Sequence, residues 1–371
     1  MTKDMDRTQI RIHLINDVKS FKDIQKDWSV LLQNSPYQDI FLTWEWLFSW
    51  WTCYGSQKEL QLITAWDGDN LVGIAPFMLY TRKKYGLKFR LLCSLGIPEC
   101  DVSGFILSND DQRVPGAIWS FIDQDKDKWD ILEFYQFVEE TSHLNVFANR
   151  FRQSGYKVSQ KIDRHLYIPI EGSWQDFFQS RSKNLRHDLN RRLKRARENG
   201  KISYKHYSGQ EISYQHINTI FEINQHSQYP HVYQIGEERA FLQELLNSMA
   251  SNGWLDIHLL YFNETPVAYR VGFIYKNRYE DWRSGFDTNY YDLAFGKILL
   301  MQIIEENFLG INREIDFLRG EEDYKERWQP MERFYVNMQV VSPINFLAIS
   351  AFWYLPKLKQ FFLKWIQSRK A

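Results

Sequence analysis

Apolar residues follow two spacings along this chain. Between positions 10 and 137, apolar runs at 10–15, 60–66, 71–80, 89–92, 105–107 and 131–137 read as strands. Asp67-Gly68-Asp69-Asn70 is turn chemistry between two of them, so 60–66 and 71–80 are expected to form a hairpin. Helical spacing places Phe21, Ile24, Trp28, Leu31 and Leu32 on one face. A very aromatic stretch, Phe41 to Trp51, follows, with Thr43 as candidate N-cap and a core role for its rings. A helix at 144–151 stops at Gly155, and a strand is expected at 166–170.

The second half repeats this order. A helix at 174–178 leads into another at 182–199, with Gly200 as its stop. Strands are expected at 202–207, 255–262, 267–275, 279–284 and 315–318, and a helix at 293–308. Hairpins mixed with helices indicate an α+β (mixed α/β) fold rather than strict βαβ alternation. The tandem pattern suggests an N-terminal domain over 1–165, a second over 166–340, and a tail over 341–371. Residues 334–356 carry no charge, but Ser342, Pro343, Asn345 and Ser350 make the run thin for a membrane span. The tail sets Leu358, Phe361, Phe362 and Trp365 on one face and lysines mostly elsewhere. It either packs on the domain or makes peripheral membrane contact through 345–371.

Composition narrows the function classes. The 371 residues suffice for about two domains; they carry 46 Lys+Arg against 46 Asp+Glu, so the whole molecule exerts no long-range pull on a polyanion. No DNA-binding pattern is present. Met1 to Arg11 lack the apolar run of a signal peptide, and three cysteines are too few for a disulfide framework, which points to a cytoplasmic setting. The nine histidines are scattered, and no metal site is expected. No Gly-x-Ser-x-Gly, His-Glu-x-x-His or Gly-x-Gly-x-x-Gly motif occurs.

Local charge is more informative. Residues 181–201 hold nine Lys and Arg against two acids, a net +7. Leu185, Leu189, Leu193 and Ala196 form a narrow seam, bordered by Arg186 and Arg192, so the helix docks by its leucines and offers guanidiniums to phosphates. In Ala294-Phe295-Gly296-Lys297 a glycine near a helix start leaves amides for a pyrophosphate, although Asp292 could cap the same amides. Around Gly320, at the end of the 315–318 strand, Arg319, Glu321, Glu322, Asp323, Lys325, Glu326 and Arg327 crowd together with Tyr324 and Trp328.

The string Asp316-Phe317-Leu318-Arg319-Gly320-Glu321-Glu322-x-Tyr324-Lys325-x-x-Trp328 resembles the signature near the end of the CelD-like acyltransferases of bacterial polysaccharide biosynthesis. That group belongs to the GNAT superfamily and is related to the FemAB-type transferases. The run from Ser182 to Gly200 resembles the arginine-rich helix that opens the second half of such proteins. The resemblance spans about residues 40 to 335. It implies two tandem GNAT-like domains, each a mixed, mostly antiparallel sheet flanked by helices, with the donor site in the second. It also implies an acyl-CoA such as acetyl-CoA as co-substrate and a sugar or amine acceptor. Asp316, Glu321, Tyr324 and Lys325 are then the catalytic candidates, with Glu321 or Asp316 as base and Tyr324 as acid. Ala294, Phe295, Gly296, Lys297 and Arg319 are candidates for holding the donor. Arg186, Arg192, Tyr269, Asp281, Arg283 and Trp328 are candidates for the substrate wall. Phe295 departs from the proline or small residue usual in the family. The alternatives are FemAB-like transfer from aminoacyl-tRNA and a non-catalytic assembly factor for polysaccharide export.

Overall fold

The computed structural model describes residues 9–108, 113–138, 144–231, 236–320 and 322–359. They form two compact units. The first comprises the described residues within Met1–Trp51, Gly55–Asp163 and Phe334–Ala371, the second Thr52–Tyr54 and Arg164–Arg333.

In the first unit, β1 (Arg11–Ile15), β2 (Glu59–Asp67), β3 (Asn70–Lys84) and β4 (Leu87–Ser94) pair antiparallel in sequence order, and the short β5 (Ile106–Leu107) pairs with β3. The expected hairpin is β2–β3, longer than its apolar runs. β6 (Ile131–Val138) lies parallel to β4 after the Arg113–Gln124 helix crosses over. That helix and Leu144–Gln153 bury Val114, Ile118, Phe147 and Phe151 against Phe77, Trp129 and Phe134. The aromatic helix is Trp44–Tyr54, capped by the Thr43 hydroxyl, which accepts from the Trp46 amide at 3.3 Å. Trp46 and Trp50 are fully buried, so the cluster is core.

The second unit contains β7 (Lys157–Pro169), which enters it at Arg164, then β8 (Ile202–Ser208), β9 (Leu255–Phe262), β10 (Thr265–Tyr275), β11 (Arg278–Phe286) and β12 (Glu314–Asp316). The spatial order is β7-β12-β11-β10-β9-β8, antiparallel except for β11 with β12. Asn263 and Glu264, both at positive φ (48° and 69°), make the tight turn between β9 and β10. The helix Phe295–Leu309 connects β11 to β12 and is buried nearly all round. The basic helix, Lys183–Asn199, is capped by Ser182 and shares a core with it through Leu185, Leu189 and Ala196. Gly200 ends the basic helix in extended backbone rather than a left-handed cap. A Cβ there would lie 2.6 Å from the Phe262 ring, which only glycine avoids.

The segment expected to close the second domain contains β13 (Met331–Val341), which pairs antiparallel with β6 from Tyr335↔Val138 to Val341↔Ile131. Its residues from Phe334 therefore group with the first unit, unlike the expected 166–340 division. A helix follows over residues 346–359, burying Ala348, Ala351 and Phe352 on Phe89, Leu91 and Val341. The rest of the amphipathic tail lies outside the described residues. Among the described residues no helix is long and apolar enough to cross a membrane.

Candidate functional site

β11 and β12 pair only at Arg278↔Glu314, Tyr279↔Ile315 and Glu280↔Asp316. Past that point the strands part. Asp316 Oδ1 accepts from the Leu318 amide at 2.7 Å, Leu318 turns into the left-handed region (φ 57°), and the Phe317 amide bonds to Leu166 on β7. A buried leucine at positive φ is costly backbone, held in place by these bonds. On the other side β11 runs on to Phe286, and among the described residues that edge has no β12 partner.

Ionisable groups collect beside it. Asp281 on β11 accepts from Arg270 on β10, and the Arg270 guanidinium lies 5.4 Å from the Tyr324 ring. Lys325 donates to the Arg319 carbonyl at 2.8 Å and pairs with Glu322 at 2.8 Å. Arg270, Asp281 and Lys325 are all buried. Burial pushes the Asp281 carboxyl up, against the opposing pull of Arg270 and Lys325. Among the described residues, neither Asp281 Oδ1 nor the Tyr279 hydroxyl, both buried, has a hydrogen-bond partner.

The start of Phe295–Leu309 forms a second feature. Its N-cap is Ala294, left-handed at φ 54° and ψ 43°, with no side-chain cap. The first amides of any helix, here those of Phe295 and Gly296, have no intrahelical carbonyl. Asp292 does not supply one by capping: its side chain is exposed and faces Arg195 at 4.0 Å. Lys297 is half-buried, and burial together with Arg192 and Arg327 moves its ammonium down. Asp188 holds this basic group in place, bonding Arg192 at 2.9 Å and Arg191 and Arg327 at 3.0 Å. Burial works against that carboxylate, but the guanidiniums prevail and keep it at about 2. Uncapped amides, a helix dipole and surrounding cations suit a pyrophosphate.

The predicted residues divide on this geometry. Asp281, Tyr324, Lys325 and the Arg319 carbonyl meet where the β11–β12 pairing ends, whereas Ala294, Gly296, Lys297 and Arg192 meet at the helix start. Phe295 contributes only backbone, because its ring packs in the core on Phe262. Asp316 is no free base: Oδ1 holds Leu318 and Oδ2 holds Arg333 at 2.8 Å. Trp328 is core, packed among Trp174, Phe177 and Phe178. Tyr269 and Arg283 lie on the sheet face opposite Asp281; the Tyr269 hydroxyl donates to Asn224. Arg186 donates to the Arg181 carbonyl. Glu321 lies outside the described residues.

Sequence reasoning missed Arg270 and Tyr279. An arginine inside the apolar run 267–275 was a signal, since a buried guanidinium requires a carboxylate. It also missed a histidine pair. Strand pairing sets His206 opposite His258, with Asp256 accepting from both at 2.6 Å. These three are close enough to hold a cation, but only by giving up those hydrogen bonds.

Residues 183–326 match the acetyltransferase (GNAT) domain family. No curated protein matches the sequence significantly. Solved structures share the fold. FemX superposes with a TM-score of 0.59 at 8% identity, over 88% of this chain and 96% of its own. The C-terminal domain of an Agrobacterium fabrum protein assigned as a lysylphosphatidylglycerol synthetase gives 0.52 at 8%, over 86% and 92%. L-PGS from Bacillus licheniformis gives 0.50 at 12%, over 88% and 94%. The chain thus shares the fold of these structures, is built as two mixed α/β units, and matches an acetyltransferase (GNAT) domain over residues 183–326.

Proposed function

We propose that the chain transfers an acyl group from a coenzyme A thioester, acetyl-CoA being the simplest, to an amine or hydroxyl of a sugar or polysaccharide precursor. The observation that carries this reading is the parting of parallel β11 and β12 in the same unit as an uncapped helix start ringed by Lys297, Arg192 and Arg327. The helix amides and cations take the pyrophosphate, and the unpaired edge of β11 takes the pantetheine amides as an added strand would. The nucleophile attacks the thioester carbonyl, the new C–N or C–O bond forms, and the C–S bond breaks. Placement of the two reactants supplies much of the rate. Tyr324 gives its proton to the departing thiolate, and a carboxylate takes the proton of the nucleophile. Glu321 is the candidate from sequence, and Asp281 the buried one, with Oδ1 open to accept. Polysaccharide precursors as acceptors follow from the CelD-like resemblance of 316–328, and membrane contact through 345–371 belongs to the same reading.

A second reading, FemAB-like transfer from aminoacyl-tRNA, is favoured by the net +7 of 181–201 and by the fold shared with FemX. A third, a non-catalytic assembly factor, would need neither donor. The test offers acetyl-CoA, longer acyl-CoAs and aminoacyl-tRNA to the protein with amino sugars and hydroxyl acceptors, and follows thiol release and acceptor mass. Acceptor-dependent thiol release, lost in Tyr324→Phe, supports the proposal. Transfer only from aminoacyl-tRNA replaces it with the second reading, and no transfer with the third.

A further inference from the structure

The β3–β4 hairpin and the C-terminal helix belong to the first unit. The hairpin tip, Lys83-Lys84-Tyr85-Gly86-Leu87-Lys88, turns at Tyr85 and Gly86, both at positive φ. It meets the helix directly. Lys84 Nζ sits 4.0 Å from the Phe352 ring, and Phe89, at the base of the tip, packs edge-on against Phe352 at 5.1 Å. Phe352 faces inward with Ala348 and Ala351, so the helix turns Phe346, Leu347, Leu355 and Leu358 outward. These four, with Tyr85 and Leu87 on the tip, are between 41% and 74% exposed. Six exposed apolar side chains on two elements that touch one another are what a docking face presents.

Charge selects the occupant. Lys83, Lys84, Lys88, Lys357 and Lys359 lie on the same two segments as the apolar residues, and neither 80–90 nor 342–359 contains an Asp or Glu. The acids beneath are already engaged, Glu133 by Arg82 and Asp130 by Arg90 and Asn345. A second copy of the chain would bring the same lysines against these lysines. The segment 360–371 also carries only positive charge, Lys364, Arg369 and Lys370. An anionic bilayer satisfies both halves of the pattern: acyl chains take the aromatic and aliphatic side chains, and headgroup phosphates take the ammonium groups. We infer that the hairpin tip and the C-terminal helix together form a peripheral docking surface for anionic membranes. The surface extends the tail contact to a second element and stands whether or not the acyl donor is coenzyme A.

The test is flotation of the full chain with vesicles of phosphatidylcholine alone and of phosphatidylcholine with phosphatidylglycerol. Two variants use exposed positions only, Lys83→Glu/Lys88→Glu/Lys359→Glu and Tyr85→Ser/Leu87→Ser/Leu355→Ser/Leu358→Ser, and circular dichroism checks that each is folded. The wild type is expected to float with the anionic vesicles, to release as salt rises, and to lose about tenfold or more in partition in each variant. Three results would overturn the inference: no flotation with anionic vesicles, equal binding to neutral ones, or variants that bind like the wild type. Flotation unchanged in both variants but lost on removing 360–371 would place the contact in the tail instead. A concentration-dependent dimer abolished by the apolar variant, without flotation, would assign the face to a second copy.

Discussion

Lys325 is buried, yet its ammonium is aimed chiefly at backbone: it donates to the Arg319 carbonyl at 2.8 Å and reaches Gly320 at 3.4 Å. It thereby fixes the loop that leaves β12 and turns beside Asp281. Its pairing with the half-exposed Glu322 adds little, as solvent-facing pairs do. Lys325→Met should therefore cost about 1–3 kcal/mol of stability from the carbonyls left unsatisfied. Thermal melts should show the loss, and Glu322→Gln should leave the melting temperature nearly unchanged. Asp316 makes the opposite case to its sequence reading. Asp316→Asn should lower stability by about 3 kcal/mol or more, as breaking a buried pair does, while folded protein keeps measurable transfer. Full stability with abolished transfer would return Asp316 to a chemical role. These side chains were visible in the sequence as an ionisable cluster after a strand. Which of them serve the loop and which stand beside β11 was not, because that depends on where the β11–β12 pairing stops.

The basic helix was the most legible element, since a seam of Leu185, Leu189 and Ala196 between Ser182 and Gly200 fixes its span and buried face from spacing alone. What fastens its charged side was not legible. Asp188 binds Arg327, which is 139 positions away in sequence. The Asp188 carboxyl, at 3.8 ordinarily and about 2 here, has a depressed folded pKa. Its stabilising contribution is therefore full above the unfolded value and is lost as pH falls through about 4 towards 2. Stability of the wild type should drop across that window, and Asp188→Asn should flatten the drop while lowering stability at pH 7; denaturant titrations at several pH values measure both. Strand β13 was missed although Val336, Met338 and Val340 alternate, because the uncharged run around them was weighed only as a membrane span and found too thin for one.

At the scale of the whole molecule the chain interrupts one unit with another. The first unit is completed only by β13 and the helix after it, which return to β6 once the second unit has been built. A chain ending at Arg333 should therefore unfold at markedly lower temperature and in a broader transition, since β6 would lose its antiparallel partner; an unchanged melt would contradict this. The mixed α/β class was legible from hairpins alternating with helices, whereas the interrupted order was not, because pairing across some two hundred residues leaves no local mark. The central claim is that the second unit holds an acyl-CoA by the start of Phe295–Leu309. Calorimetric titration with acetyl-CoA and longer acyl-CoAs, on the wild type and on Arg192→Ala/Lys297→Ala, tests it most directly. Saturable binding weakened about tenfold or more in the double variant, as loss of charged contacts to a phosphate requires, is the predicted result. No binding of any acyl-CoA, or binding that the variant leaves intact, would contradict it.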